Sequence, residues 1–209
     1  MSPPTPITIS ANKGLEEAVL ALSTGGVIAY PTETFYGLAV DPANPRALKR
    51  LIELKGRPEG KAIPLIAGDL ASVQAMVREI SPLAERLIKN FWPGPLTLIF
   101  NASPTVSPLI TGDSGGVGIR ISPSPLCRRL LRATGFPLTS TSANPAGFSP
   151  PREAAEVEEY FNGKIDLIIE GGKTTGGLAS TVVDVRGDKP VVLREGLIRA
   201  LEIQEAAAE

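Results

Sequence analysis

Histidine is absent from this chain of 209 residues, and cysteine occurs once. That excludes imidazole proton relays, thiol–imidazole nucleophiles and His/Cys zinc centres. Aromatic residues make up only 5%, too few for an aromatic platform that stacks bases. Positive charge is not in excess either: 21 Lys and Arg stand against 22 Asp and Glu, with an isoelectric point of about 5.7. No global field therefore draws the chain to nucleic acid, and any RNA contact is local or indirect. No apolar run approaches the roughly 20 residues of a membrane helix, and Met1 to Thr8 lack the basic start and apolar core of a secretory leader. A cytoplasmic protein is expected. Cys127 follows Pro125-Leu126 in a helix-like segment and has no partner in the chain, so it is read as a packed thiol.

What is plentiful is apolar residue, at 43% with a mean hydropathy of +0.11, ample for a packed core. Apolar runs alternate with amphipathic stretches over nearly the whole length, the pattern of an α/β or α+β layer protein in one domain. Helices are predicted over 15–22, 45–55, 70–77, 82–90, 125–132 and 152–161. The second is the best marked, with Asn44 as N-cap, Pro45 in the first turn and Gly56 as the stop. Strands are predicted over 27–30, 63–66, 96–100, 117–121, 138–140, 166–169, 181–185 and 191–193. Their excess toward the C-terminus indicates a mixed sheet. The Ala/Glu-rich end from Gln204 to Glu209 reads as a fraying helix or tail, leaving a core of about residues 7–200. Twenty prolines and 21 glycines mark many tight loops, where sites concentrate.

Chemistry gathers first at Lys55-Gly56-Arg57-Pro58-Glu59-Gly60-Lys61. Pro58 and the glycines stiffen a turn from which three cations project; Arg57 can fork two phosphate oxygens while the lysines act as point charges. The segment is not a P-loop, because it has three residues between the glycines and Ala62 where a magnesium-binding hydroxyl is required; Gly172-Lys173-Thr174 fails too, with Leu167 in the place of the first glycine. A second constellation is Tyr30-Pro-Thr-Glu-Thr-Phe-Tyr-Gly-Leu38. A third is Thr139-Ser-Thr-Ser-Ala-Asn144, whose small polar side chains can bind oxyanions or form an Asx or ST turn. Gly115-Gly-Val-Gly-Ile-Arg120, Ser180-Thr-Val-Val-Asp184 and Leu193-Arg-Glu-Gly196 complete the set.

In this order and over nearly the whole chain, these motifs resemble the YrdC-like family of threonylcarbamoyl-AMP synthases. The resemblance implies a single YrdC-like domain over residues 1–209, α/β (α+β), with a twisted, mostly open mixed sheet flanked by helices and a basic concave face. It implies a reaction in which L-threonine, bicarbonate and ATP give threonylcarbamoyl-AMP and pyrophosphate, for threonylcarbamoyladenosine in tRNA. Carried over by motif, Thr32, Thr34, Arg120, Ser140 and Ser180 surround threonine. Lys55 and Arg57 act at the phosphates, and Arg57, Lys61, Gly116, Ser142, Asn144, Ser149 and Arg194 hold ATP, which brings Mg2+; no protein metal site is implied. A threonylcarbamoyl transferase complex is the expected downstream partner, with tRNA contact indirect or weak. Ile66 stands where many relatives have a histidine facing threonine, and Thr141 where proline often precedes Ser-Ala-Asn. The proton on the threonine amine goes to a carboxylate such as Glu33, to solvent or to bicarbonate. The alternatives are a non-catalytic RNA-binding module and a related enzyme that uses carbamoyl phosphate.

Overall fold

In the computed structural model, which describes residues 7–10, 14–58 and 60–208, the strands divide between two sheets. Along the chain run β1 (Ile7–Ser10), α1 (Leu15–Ser23), β2 (Ile28–Pro31), β3 (Tyr36–Ala39), α2 (Pro45–Lys55), β4 (Leu65–Ala67), α3 (Leu70–Gln74) and α4 (Pro82–Phe91). They are followed by β5 (Leu96–Asn101), α5 (Pro108–Thr111), β6 (Gly116–Ile121), α6 (Pro125–Thr134), β7 (Leu138–Thr139) and β8 (Thr141–Ser142). The last elements are α7 (Ala154–Phe161), β9 (Leu167–Glu170), β10 (Thr181–Asp184), β11 (Val191–Arg194) and α8 (Ala200–Ala208).

The α/β class and the mixed strand directions are as the residues indicate. One sheet has five strands in the order β1-β9-β2-β3-β8, the other six in the order β11-β10-β5-β6-β4-β7, and both mix parallel and antiparallel pairs. The chain crosses between them at α2, at Ser140 between β7 and β8, and in the glycine-rich stretch between β9 and β10. Each crossing carries one of the polar motifs.

Strand periodicity explains which face meets what, because successive side chains point to opposite sides. In β5 and β6, Leu96, Leu98, Phe100, Val117, Ile119 and Ile121 join the main apolar core, which α2, α4 and α8 also enter. The alternate positions Thr97, Ile99, Gly118 and Arg120 are left on the other face. Since Ile99 pairs with Gly118, and Val182 pairs with both Thr97 and Arg194, these residues share one surface of the six-stranded sheet. A one-residue slip of β6 would send Arg120 into the apolar core, so the register is strongly specified.

Local signals held where they were strong. Asn44 Oδ1 accepts from the backbone N–H groups of Arg46 and Ala47, and Gly56 ends α2 in the left-handed region at φ 55°. Ser81 and Ser124 cap α4 and α6, each followed by proline. One expectation is corrected and one narrowed. The helix predicted to reach Val77 stops at Gln74, and Val77 instead makes an isolated antiparallel bridge to Ala102. Of the fraying helix or tail read at the C-terminal end, the structure has the helix α8, and it is packed: Ile203 and Ala206 are buried, and Arg86 Nε donates to the Ala207 carbonyl at 3.0 Å. The residues read for a secretory leader, through Pro6, and the final Glu209 lie outside the described residues.

Candidate functional site

A cleft of about 610 Å³ opens on the Thr97–Gly118–Arg120 face of the six-stranded sheet, walled by the turn between β2 and β3 and by the segments after α2 and β8. Its volume lies within the roughly 300–1,000 Å³ typical of small-molecule sites. Thr32, Thr34, Lys55, Arg57, Lys61, Gly116, Arg120, Ser140, Ser142, Asn144, Ser180 and Arg194 all line it. Of the residues assigned to threonine or ATP, Ser149 alone stays off the wall; it is exposed, while Gly147 and Pro150 on either side of it line the cleft.

Lys55, the last residue of α2, is buried. Its Nζ donates to the Ser142 carbonyl at 2.7 Å and to the Asn144 carbonyl, and its own carbonyl accepts from Ala146 N–H at 2.8 Å. The lysine thus clamps the Ser142–Ala146 loop onto the helix end, in addition to facing the cleft. Burial, and then the nearby charges of Arg57 and Lys61, lower its pKa to about 8. Arg57 folds its own loop: one Nη2 donates to the carbonyls of Lys61 and Ala62 at 2.9 and 2.7 Å, while Nε is buried without a partner. Burial holds the pKa of Arg57 and Arg194 below the ordinary arginine value. Crowded, desolvated cations of this kind are relieved by an anion.

The third motif contributes through backbone geometry. Asn144 Nδ2 donates to the carbonyls of Pro145 and Phe148 at 2.9 and 2.7 Å and so closes the turn, while its Oδ1 is buried without a partner. Ser142 is fixed by pairing with Gly37 across β3 and β8.

On the sheet floor, Arg194 donates from Nη2 to the Ser180 carbonyl at 2.8 Å and to Ser180 Oγ at 3.3 Å, and Ser180 Oγ lies 3.0 Å from Thr97 Oγ1. Gly196 allows this packing. A Cβ there would stand 2.1 Å from the Ala179 carbonyl oxygen. Thr97 is the cleft residue that sequence reasoning missed; its signal was a lone hydroxyl in the apolar strand Leu96–Phe100.

Arg120 is buried and pairs with Glu33, and its Nη2 reaches Ser140 Oγ at 3.3 Å. Burial pulls the guanidinium below its ordinary pKa, and the nearby Arg194 charge adds to that pull while Tyr30 and Cys127 oppose it. Beside it, Thr32 Oγ1 donates to the Phe35 carbonyl at 2.8 Å, and the Thr32 and Thr34 hydroxyls lie 3.2 Å apart. Glu33 itself is off the cleft wall. Ile66 shares the sheet face of Arg120 by register, yet it is fully buried in the apolar cluster that contains Tyr30, Cys127 and Leu138. Among the described residues the wall carries no carboxylate and no imidazole, so it offers a hard divalent ion only hydroxyl and carbonyl oxygens.

The sequence and the fold are similar to those of known proteins. Threonylcarbamoyl-AMP synthase from Pyrococcus abyssi is 36% identical over 208 residues, covering 97% of this chain, which spans 61% of that relative's length. The enzyme of the same name from Stenotrophomonas maltophilia is 42% identical, covering 79% of this chain and 89% of the relative. A crystal structure of P. abyssi Sua5 complexed with L-threonine superposes with a TM-score of 0.89 at 35% identity, covering 97% of this chain and 60% of that one. The family described as Sua5/YciO/YrdC, telomere recombination, matches residues 20–196. That stretch contains every cleft residue from Thr32 to Arg194, and the chain belongs to the Sua5/YciO/YrdC family.

Proposed function

We propose that this chain is an L-threonylcarbamoyladenylate synthase, which joins L-threonine, bicarbonate and ATP into threonylcarbamoyl-AMP with release of pyrophosphate. One observation carries the reading. A single cleft collects the Lys55, Arg57 and Lys61 cations, Arg194, and a buried Arg120 ringed by the hydroxyls of Thr32, Thr34, Ser140 and Ser180. Polyphosphate and an amino-acid carboxylate are the anions that such a set fits side by side.

Bicarbonate loses one C–O bond and releases water, directly or by way of carbon dioxide, as the threonine amine bonds to its carbon to form a carbamate; the proton lost from the threonine ammonium goes to solvent or to a second bicarbonate. A carbamate oxygen then attacks the α-phosphorus, the bond to the bridging oxygen breaks, and pyrophosphate leaves. Negative charge grows on the phosphoryl and pyrophosphate oxygens, where Arg57, Lys61 and Arg194 neutralise it in a partly desolvated setting. Lys55 contributes charge and also holds the Ser142–Asn144 backbone in place. Arg120 receives the threonine carboxylate, so that the nucleophile is held in line. Catalysis rests on fixed charge and positioning.

Because the cleft wall, among the described residues, offers a divalent ion only hydroxyl and carbonyl oxygens, Mg2+ would come with the nucleotide and would supply further positive charge at the phosphates. The product is consumed by a threonylcarbamoyl transferase complex acting on tRNA. No described helix is long and apolar enough to cross a membrane, and the cytoplasm is the compartment where ATP, threonine and tRNA meet. Pyrophosphate release from ATP, measured with threonine or bicarbonate omitted in turn, tests the proposal. Release that needs both supports it; release that ignores threonine but requires carbamoyl phosphate overturns it.

A further inference from the structure

The proposed reaction leaves one half-buried charge without a task. Glu33 sits between two cleft-lining threonines, but its carboxylate points away from the wall formed by Thr32 and Thr34. One oxygen pairs with Arg120 Nη1. The other accepts a hydrogen bond from Ser122 Oγ at 2.5 Å, and Ser122 Oγ in turn accepts from Ser124 N–H at 3.1 Å, at the cap of α6. The backbone is tied as well: Thr175 Oγ1 donates to the Glu33 carbonyl at 2.7 Å, and Gly176 N–H donates to the Thr34 carbonyl at 2.8 Å. Arg120 and Ser122, two residues apart on one segment, hold the carboxylate, while a second distant segment, Thr175-Gly176, ties down the backbone that carries it.

We propose that Glu33, tethered by Ser122, is a positioning residue for amino-acid recognition: it fixes the Arg120 guanidinium from behind, so that the free N–H edge meets the substrate carboxylate. It is not the base that takes the amine proton. A base must come within hydrogen-bond reach of the proton it removes, and this carboxylate has both oxygens engaged on the far side of Arg120. An arginine side chain is long and loses much freedom when ordered. Restraining it before substrate arrives lowers the cost of binding. The pair also keeps a desolvated guanidinium compensated while the cleft awaits its anion, since a buried charge stripped of its partner is strongly unfavourable.

The inference rests on the reading that Arg120 receives the threonine carboxylate. The test measures kcat and KM for threonine, the Kd for ATP and the pH–rate profile in the wild-type protein, Glu33→Gln and Ser122→Ala. Gln keeps the length of the side chain but not its charge. We expect KM for threonine to rise about tenfold or more in Glu33→Gln and about threefold in Ser122→Ala, in line with loss of a charged and a neutral tether. ATP affinity and the shape of the pH profile should stay as in the wild type, and kcat within about threefold. A fall in kcat of about a hundredfold with loss of the acidic limb and an unchanged KM would mean that Glu33 is the base, and the proposal fails. Unchanged threonine KM in both variants overturns it as well. If Glu33→Gln does not fold, Ser122→Ala decides alone, because it leaves the charge pair in place. Failure of the underlying reading shows separately, in a wild-type protein whose pyrophosphate release does not depend on threonine.

Discussion

Binding of ATP should draw protons from solution at mildly alkaline pH, and Lys55 should be their destination. In the free protein its ammonium is buried beside Arg57 and Lys61 and has a pKa of about 8 against an ordinary 10.5. The difference corresponds to roughly 3 kcal/mol of penalty on the charged form. A triphosphate in the cleft reverses the sign of the local field and restores the ordinary value. At pH 8 about half of the free molecules carry neutral Lys55, so each ATP bound takes up ~0.5 proton; the uptake is ~0.1 at pH 7 and ~0.9 at pH 9. Calorimetric titration in buffers of different ionisation enthalpy reads this number directly as a slope. ATP affinity should weaken above pH 8 in the wild type, and Lys55→Met should show weaker binding with no uptake. Zero uptake at pH 8 in the wild type, or the same uptake in Lys55→Met, would refute the reasoning. The linkage has a second face. Because the folded value lies below the unfolded one, the penalty is fully present below pH 8 and is lost as pH rises to 10.5, so the free protein gains stability through that window.

Arg57→Ala should cost about 2 to 4 kcal/mol of transition-state stabilisation, the range for removal of a charged or oxyanion-type donor; wild-type rates of pyrophosphate release in that variant would remove Arg57 from the phosphate site. Thr97→Val keeps the volume but takes the hydroxyl from Ser180 Oγ, 3.0 Å away. Loss of about 1 kcal/mol should raise KM for threonine roughly fivefold with little change in melting temperature. Gly196→Ala forces a Cβ to 2.1 Å from the Ala179 carbonyl oxygen and 2.7 Å from the Ser180 carbonyl carbon. We expect about 1 to 3 kcal/mol of destabilisation in urea titrations together with weaker ATP binding, as the Arg194–Ser180 contact shifts.

Helix ends were legible because their signals are local. Asn44-Pro45 and Gly56 bracket α2, and Ser81-Pro82 and Ser124-Pro125 open α4 and α6, as their side chains and ring constraints require. Strands supported by distant partners were less visible. All four residues of β3, Tyr36–Ala39, are buried, so no alternation marks them, and no strand is predicted over them. The two-residue β8 exists only through its pairing with β3. For α8 the sequence shows Ala and Glu, compatible with a free tail; burial of Ile203 and Ala206 decides otherwise.

The site divides in the same way. Residue chemistry in the sequence determined the kind of ligand: with no histidine and a single cysteine, clustered Lys and Arg and small hydroxyls leave anion binding as the chemistry on offer. Only the tertiary structure decided which of those groups face the cleft. It placed Ser149 outside and Thr97 inside, turned Glu33 away to hold Arg120, buried Ile66 and set Lys55 on two loop carbonyls. The physical reason is that a side chain's type is written at its own position, whereas its direction follows from strand register and from contacts made by residues far away in the chain.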